Sequence, residues 1–496
     1  MRAEGELVVI DTPVDPILEM TEIADRVVKV GGPALLFTHP KGYSTPVLMN
    51  QFGSDRRTCL ALRADSYEEL AGRVTALTAI EMPQGLRDKL KALSQLKALA
   101  DLEPRLVKRG VCQEVVQTGD QVDLEALPML QCWPLDAGRY ITLPLVFTRH
   151  PKTGARNVGM YRLQVFDKRT TGMHWHIHKD AADHYRASRS RLEVAVAIGT
   201  DPALTYAATA PLPAGVDELL FAGFLRGEAV DLVQCKTVDL QVPAHAEYVL
   251  EGYVEVDETR REGPFGDHTG YYSLADQYPV LHLTALTHRR EPVYATTVVG
   301  QAPMEDAYLG KATERLFLPL MKLTLPELVD WDLPKEGGFH NCVLVAIEKQ
   351  YPLQARKVMH SLWGTGQMQF SKCIVVVDAD VDVHDYAKVA WRVFNNVDWK
   401  RDVMMGEGPL DVLDHSAPQP LWGGKIGIDA TRKGPDEGHA REWPPDVEMA
   451  PEVKARVDAL WSRLGLGEVG GAGQAGGAGG ADPVRDPGPA NHEAPA

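Results

Sequence analysis

The run Ile141-Thr-Leu-Pro-Leu-Val-Phe-Thr148, the turn signal Pro151-Lys-Thr-Gly154 and the run Val158-Gly-Met-Tyr-Arg-Leu-Gln-Val-Phe166 decide the fold. Two runs rich in β-branched and aromatic residues, separated by a Pro/Gly turn, read as neighbouring antiparallel strands. A third run at 173–177 follows the polar Asp167-Lys-Arg169, and others lie at 192–198, 248–256 and 280–286. Helical insertions are expected near 183–190 and 217–225. The spacing predicts a mostly antiparallel sheet or barrel across the middle of the chain.

On the N-terminal side, helix and strand signals alternate. Asp15 can cap a helix with Pro16 at its first position, and Gly31-Gly32 stop it. Short apolar runs follow at 34–37 and 47–49. Ser66-Tyr-Glu-Glu69 has capping-box spacing and opens a second helix, and a Leu- and Lys-rich amphipathic stretch spans 86–99. On the C-terminal side, strands at 343–347 and 374–377 alternate with helices at 354–362 and from about Asp385. The last helix is expected to carry Val389, Val393 and Phe394 on one side. Such alternation predicts parallel βαβ units. From Gly467 the chain is Gly, Ala and Pro with almost no large apolar residue, too little to offset its ordering entropy. The expected organisation is α/β multidomain: an N-terminal α/β domain (1–110), a central β domain (111–310), a C-terminal α/β domain (311–466) and a disordered, dispensable tail (467–496).

The 496 residues carry 52 Lys and Arg against 68 Asp and Glu, a formal charge of −16. So acidic a chain is poorly suited to nucleic acid or to an anionic membrane surface. Six cysteines, at 59, 112, 132, 235, 342 and 373, form no CxxC pair, which excludes a disulfide scaffold and a structural zinc site. No secretory signal opens the chain, and no apolar stretch approaches the roughly 20 residues of a membrane span. The expected setting is reduced and cytoplasmic.

Several motifs bear on chemistry. Gly471-Ala-Gly473-Gln-Ala-Gly476 matches a dinucleotide fingerprint, but it lies in the low-complexity tail with no strand before it or helix after it. Asp378, Asp380 and Asp382 alternate like a calcium loop, yet Val383 and Val389 stand where Gly and Glu are needed; a strand end and a helix cap explain them. His174-Trp-His176-Ile-His178 would place three imidazoles on one face of a strand. Metal ligation, stacking and anion contact are all open to them. Glu262-Gly-Pro-Phe-Gly-Asp267-His268-Thr-Gly-Tyr-Tyr272 is the densest candidate. Its two carboxylates can converge on one substrate, in which case burial and mutual repulsion would raise one pKa towards general-acid use. The plain alternative is a surface turn with capping acids. Arg162, at the end of Asn157-Val-Gly-Met-Tyr-Arg162, can fork onto a carboxylate.

These motifs together resemble the UbiD family of decarboxylases. The likeness also takes in Trp175-His-Ile-His178-Lys179, Phe221-Ala-Gly-Phe-Leu-Arg-Gly227, Gln354-Ala-Arg-Lys-Val-Met-His360, the acidic strand at 375–383 and Gly424-Lys-Ile-Gly-Ile-Asp-Ala-Thr431. It runs in collinear order from about residue 10 to 435. The resemblance implies a central split β-barrel (FMN-binding-like) holding prenylated FMN, and a C-terminal domain that builds a homo-oligomer, dimer or hexamer. It implies Mn2+, with K+ nearby, held by Asn157, His178 and Glu218. Met160, Tyr161, Arg162, His174, Trp175, His176 and Lys179 would flank the cofactor, and Lys425 would reach its phosphate. Arg162, Glu262 and Asp267 stand where the family has its catalytic trio. His174 and His176 are not histidine throughout the family, so the metal reading belongs to His178 alone.

The implied activity is non-oxidative (de)carboxylation of an aromatic or α,β-unsaturated acid by a carboxy-lyase that depends on a flavin prenyltransferase. A quinone-pathway acid (ubiquinone or menaquinone biosynthesis) is the first expectation, with peripheral membrane contact if the substrate is prenylated. A phenolic or cinnamic acid decarboxylase of detoxification or catabolism is the alternative. Outside that class stand a flavin or metal binder without turnover, against which the intact trio argues, and a redox flavoenzyme, which lacks a dinucleotide fingerprint in strand–turn–helix context.

Overall fold

The computed structural model describes residues 1–78, 100–175, 180–213 and 215–464. The amphipathic stretch at 86–99, His176, His178, Lys179, the Gly471–Gly476 match and the tail lie outside the described residues. No described helix is long and apolar enough to cross a membrane.

The middle of the chain is one antiparallel sheet of nine strands. Its order is Tyr140–Ile141, Leu163–Val165, Thr170–Met173, Asp276–His288, Tyr248–Glu262, Arg191–Ile198, Pro144–Arg149 and Arg156–Met160, with Val115–Thr118 also paired to Asp276–His288. Strand periodicity splits Pro144–Arg149 between two cores. Leu145 and Phe147 pack with Leu204, Leu219 and Ala222 of the helices Pro202–Ala207 and Glu218–Arg226. Val146 packs with Val194, Val196 and Leu250, and with Met20 and Val28 of the helix Glu19–Lys29. Cover on both faces is why this stretch reads as a nearly continuous apolar run.

The expected barrel is not closed among the described residues. The two end strands, Tyr140–Ile141 and Arg156–Met160, share no ladder. Residues 161–162 instead lead from the last strand back to Leu163–Val165, next to the first, so the open edge of the sheet carries Arg162.

The N-terminal sheet is made of Leu7–Ile10, Ala34–Phe37, Val47–Met49 and Tyr294–Ala295. Its last strand comes from beyond the central sheet and pairs in parallel with Val47–Met49. The C-terminal sheet runs Leu328–Asp332, Cys342–Ile347, Cys373–Asp378, Trp422–Asp429, Val403–Pro409. Its three inner strands are parallel, as βαβ alternation predicts, and its edges are antiparallel. All six cysteines are free thiols.

Three local expectations are corrected. The first helix begins at Glu19 rather than at Pro16, because the Asp15 carboxylate accepts from the Ile17 amide at 2.8 Å and closes a turn of its own. The strand after Asp167-Lys-Arg169 ends at Met173, so His174 is off the strand expected at 173–177, while His176 and His178 lie outside the described residues. Phe394 is 73% exposed while Val389 and Val393 are buried, so it is not on the apolar side of the helix Tyr386–Asn396. Of the aspartates at 378–382, Asp378 does end the strand Cys373–Asp378, but the helix cap is Asp385, which accepts from the Lys388 amide at 2.9 Å, while Asp382 closes a turn by accepting from the His384 amide at 2.9 Å.

Candidate active site

Arg162 reaches the site because the chain crosses the open sheet edge at residues 161–162. Glu262 is the last residue of the long strand Tyr248–Glu262 and is fully buried. Gly263 follows with φ +89°, a left-handed conformation that glycine adopts without strain. The short strands Phe265–Gly266 and Tyr272–Ser273 then pair, and the Asp267 amide donates to the Tyr271 carbonyl at 3.0 Å. This hairpin aims Asp267 back at Arg162.

The guanidinium ties the three together. Nε and Nη2 donate to the two Glu262 oxygens at 3.0 and 3.2 Å, Nη1 donates to Asp267 Oδ2 at 2.5 Å, and Nη2 also donates to Ser273 Oγ at 2.9 Å. The Phe265 ring lies 4.6 Å under the guanidinium carbon. These bonds engage four of the five N–H groups an arginine has; the second hydrogen on Nη1 is left for a ligand carboxylate.

Around the trio, His174 Nδ1 lies 3.0 Å from Glu262 Oε2, and its ring packs 4.2 Å from Tyr278. Asp267 Oδ1 takes the His268 amide at 2.8 Å and faces His268 Nδ1 at 3.1 Å. His268 Nε2 in turn lies 3.0 Å from Nε2 of His340, a residue of the C-terminal part of the chain.

Two buried carboxylates this close were expected to push one pKa up by burial and repulsion. The structure reverses that. Burial does raise both, but hydrogen bonding from His174 and the Arg162 charge outweigh it at Glu262 and hold it at about 2. At Asp267, His268 and Arg162 outweigh burial and hold the carboxyl far below the usual range. Burial lowers His268, yet the Asp267 hydrogen bond and carboxylate prevail and raise it to about 9. Burial and the Arg162 charge lower His174, so its neutral ring donates from Nδ1 to Glu262. Two carboxylates, one guanidinium and one imidazolium make a neutral buried set, as burial of charge requires.

Asn157 is buried and its Nδ2 has no hydrogen-bond partner among the described residues. Beside it, the Val158 amide donates to Glu218 Oε2 at 3.3 Å, and Glu218 opens its helix directly after the cap Asp217. Met160 is half-buried, Tyr161 is buried, and Trp175 is buried with its Nε1 unpartnered. Lys425 stands in the C-terminal sheet, where Nζ donates to the Gln369 and Ser371 carbonyls; burial lowers its pKa to about 8. A cleft of about 480 Å³ lined by Thr148, Arg149, Arg156 and Asp217 contains none of the trio. Glu314, Asp332 and His384 are spaced for a metal, but Lys311 Nζ already fills the middle, 2.7, 2.6 and 3.1 Å from them.

Sequence reasoning missed Ser273, His268 and His340 as members of the site. His268 had a signal, standing inside the quoted motif directly after Asp267. His340 had none, since only the tertiary fold brings it across 72 residues.

Residues 1–74, 105–302 and 307–430 match in order the N-terminal domain, the Rift-related domain and the C-terminal domain of 3-octaprenyl-4-hydroxybenzoate carboxy-lyase, UbiD. An uncharacterized protein of Archaeoglobus fulgidus is 54% identical over 470 residues, covering 94% of this chain and 96% of its own. Among solved structures, the UbiD-class enzyme HmfF of Pelotomaculum thermopropionicum, in complex with FMN, is 30% identical with a TM-score of 0.75, covering 90% of this chain and 95% of its own. The vanillic acid decarboxylase of Sedimentibacter hydroxybenzoicus, in closed form, is 27% identical with a TM-score of 0.80, over 93% and 97%. Three successive domain matches over most of the chain establish that it belongs to the UbiD family of carboxy-lyases.

Proposed function

We propose that the chain decarboxylates an aromatic or α,β-unsaturated carboxylic acid without net oxidation, using prenylated FMN. The observation that carries this is the buried Arg162–Glu262–Asp267 network with one guanidinium hydrogen to spare. A substrate carboxylate would take that hydrogen, and Asp267 would deliver the proton that replaces CO2 on carbon. Glu262, held by two nitrogens of the arginine, keeps the guanidinium plane aimed.

Loss of CO2 from an sp² carbon leaves an electron pair with no place to go, and bound prenylated FMN supplies that place. The residues fit such a group. Asn157 Nδ2 and Trp175 Nε1 are buried polar atoms without partners among the described residues, and such atoms call for a bound group or water. Asn157, His178 and Glu218 would hold Mn2+, an O/N/O set that suits that ion, with K+ nearby. Met160, Tyr161, Arg162, His174, Trp175, His176 and Lys179 would line the flavin, and Lys425 its phosphate once released from its carbonyls.

A quinone-pathway acid is the first substrate reading, with a cytoplasmic enzyme that touches the membrane only if its substrate is prenylated. Similarity to the vanillic acid decarboxylase favours a second, a phenolic acid of catabolism. The test is protein co-expressed with a flavin prenyltransferase. Native mass should give prenylated FMN with one divalent ion per chain and a homo-oligomer, and a panel of aromatic acids should lose CO2. A protein that takes up no modified flavin overturns the reading.

A further inference from the structure

We propose that His268 and His340 form the proton supply of Asp267: His268 Nδ1 recharges the carboxylate that spends its proton on product, and His340 holds the other end of the His268 ring. This rests on the decarboxylase reading above. Neither histidine touches substrate; both act through Asp267 as positioning residues.

The geometry is a straight chain of contacts. Asp267 Oδ1 faces His268 Nδ1 at 3.1 Å, and His268 Nε2 faces His340 Nε2 at 3.0 Å. Two ring nitrogens at that distance share one hydrogen, because two N–H groups pointed at each other repel. Phe339 stacks on the His268 ring at 5.4 Å, which restricts its rotation.

The surrounding charges choose the owner of the shared hydrogen. His268 faces Asp267 on its own hairpin, Asp306 at the start of the helix Glu305–Thr324, and Asp411 from the segment after Val403–Pro409. His340 faces Asp411, Asp414 and Lys372, and the His268 ring itself. Arg162 lies beyond Asp267. Burial and the His268 charge lower His340 to about 4. The consistent state is therefore an imidazolium at His268, donating from Nδ1 to Asp267 and from Nε2 to a neutral His340 whose own hydrogen is on Nδ1.

Asp267 itself is ionised in that state and has no proton to give. A substrate carboxylate arriving at Arg162 competes for its charge, which weakens what holds Asp267 low and raises its affinity for a proton. The Nδ1 hydrogen of His268 then crosses an existing hydrogen bond to Oδ1. The C–CO2 bond breaks, CO2 leaves, and the electron pair left on carbon takes the proton from Asp267. His268 ends neutral with hydrogen on Nε2, still bonded to His340, and regains its Nδ1 hydrogen from water. Atoms and charge balance, and no oxidant or reductant is needed.

The experiment reads the histidines directly, by NMR of protein with 15N-labelled histidine and no cofactor, His268 being assigned by its loss in His268→Gln. In the wild type His268 should stay imidazolium until about pH 9. His340→Leu should lower that titration by about one pH unit or more, while His340→Gln, whose amide oxygen can accept from Nε2, should restore it. In loaded enzyme, kcat/KM, which reports the free enzyme, should fall on the alkaline side with a midpoint close to that titration, and the midpoint should move with His340→Leu but not with His340→Gln. His268→Gln should lower kcat by 10-fold or more with little change in KM, in the range of a lost proton-transfer group. A wild-type His268 that titrates at or below the ordinary histidine value, or one that ignores His340→Leu, overturns the proposal. A loaded protein that decarboxylates nothing overturns the functional reading instead, and the NMR titration still decides the pair.

Discussion

At the scale of single residues, the site works by fixing where charge and hydrogen can go. Asp267→Asn keeps the size of the side chain and one acceptor oxygen but removes the transferable proton. It is expected to retain flavin and metal and to lose turnover by about 10²-fold or more, measured as CO2 release by loaded enzyme. Glu262→Gln should also impair turnover, and the double variant should be little worse than Asp267→Asn alone, because residues acting as a unit are not additive. Near-wild-type turnover by Asp267→Asn would assign the proton to another group. The histidines divide in the same way. His178→Ala is expected to lose manganese and flavin together, measured by metal analysis and absorbance. His174→Ala should keep the metal, because His174 is committed to Glu262 at 3.0 Å, and should lower kcat instead. Equal metal loss from both variants would favour a shared histidine site.

At the scale of elements, ends and connections matter more than spans. The strand Thr170–Met173 stops one residue before His174, and the His174 amide donates to the Arg162 carbonyl at 3.3 Å. That bond joins the two segments that flank Glu262. In the C-terminal sheet, His384 joins the helix Tyr386–Asn396 to the strand Leu328–Asp332: Nε2 lies 3.1 Å from Asp330 Oδ2, and Nδ1 lies 2.9 Å from Asp332 Oδ1. Hydrogen bonds to Asp330 and then to Asp332 raise its pKa to about 9. A raised histidine stabilises the fold fully below its unfolded value of about 6.5. That contribution disappears as pH rises through about 9. Thermal melts of wild type and His384→Gln should therefore differ most below about pH 6.5 and converge above about pH 9. Since the side chain is 36% exposed, solvent screening keeps the difference to a few degrees at most. A gap that widens with pH would reverse the assignment.

At the scale of the whole molecule, the three parts are not equally independent. The N-terminal sheet takes its last strand from Tyr294–Ala295. Phe37 and Met49 of that sheet, with Met20 of the helix Glu19–Lys29, share one core with Leu130, Ile141 and Tyr294. Phe52, Leu62 and Leu70 likewise share a core with Tyr206, Leu225, Leu309 and Leu316. The C-terminal sheet has two cores drawn from residue 318 onward. A fragment of residues 1–110 is thus expected to be unfolded by circular dichroism and amide dispersion, and a fragment of 305–464 to fold cooperatively. A well-dispersed 1–110 fragment would contradict the shared cores. The Gly/Ala/Pro composition of 467–496 offers no apolar surface to bury. A chain ending at Leu466 should therefore keep solubility, flavin and turnover, and a loss of activity above about tenfold would give the tail a function.

What the sequence by itself determined follows from local rules. The apolar run at 144–147 beside its Pro/Gly turn gave away the central sheet, because a strand between two cores must be apolar on both faces. Alternating strands and helices announced the parallel C-terminal sheet, and the Gly-Pro loop with two acids placed Glu262 and Asp267 near one another. Arg162 was legible as a guanidinium at a strand end. What only the tertiary structure decided depends on distance through space. The sheet edge stays open among the described residues because no ladder joins its end strands, a matter of register between segments some 15 residues apart. The acids are both held low, where their proximity alone argued for one raised pKa, because Arg162 lies between them and His174 and His268 donate from outside. His340 meets His268 only because the C-terminal part docks against the hairpin, and no pattern along the chain encodes a contact made by two rings 72 residues apart.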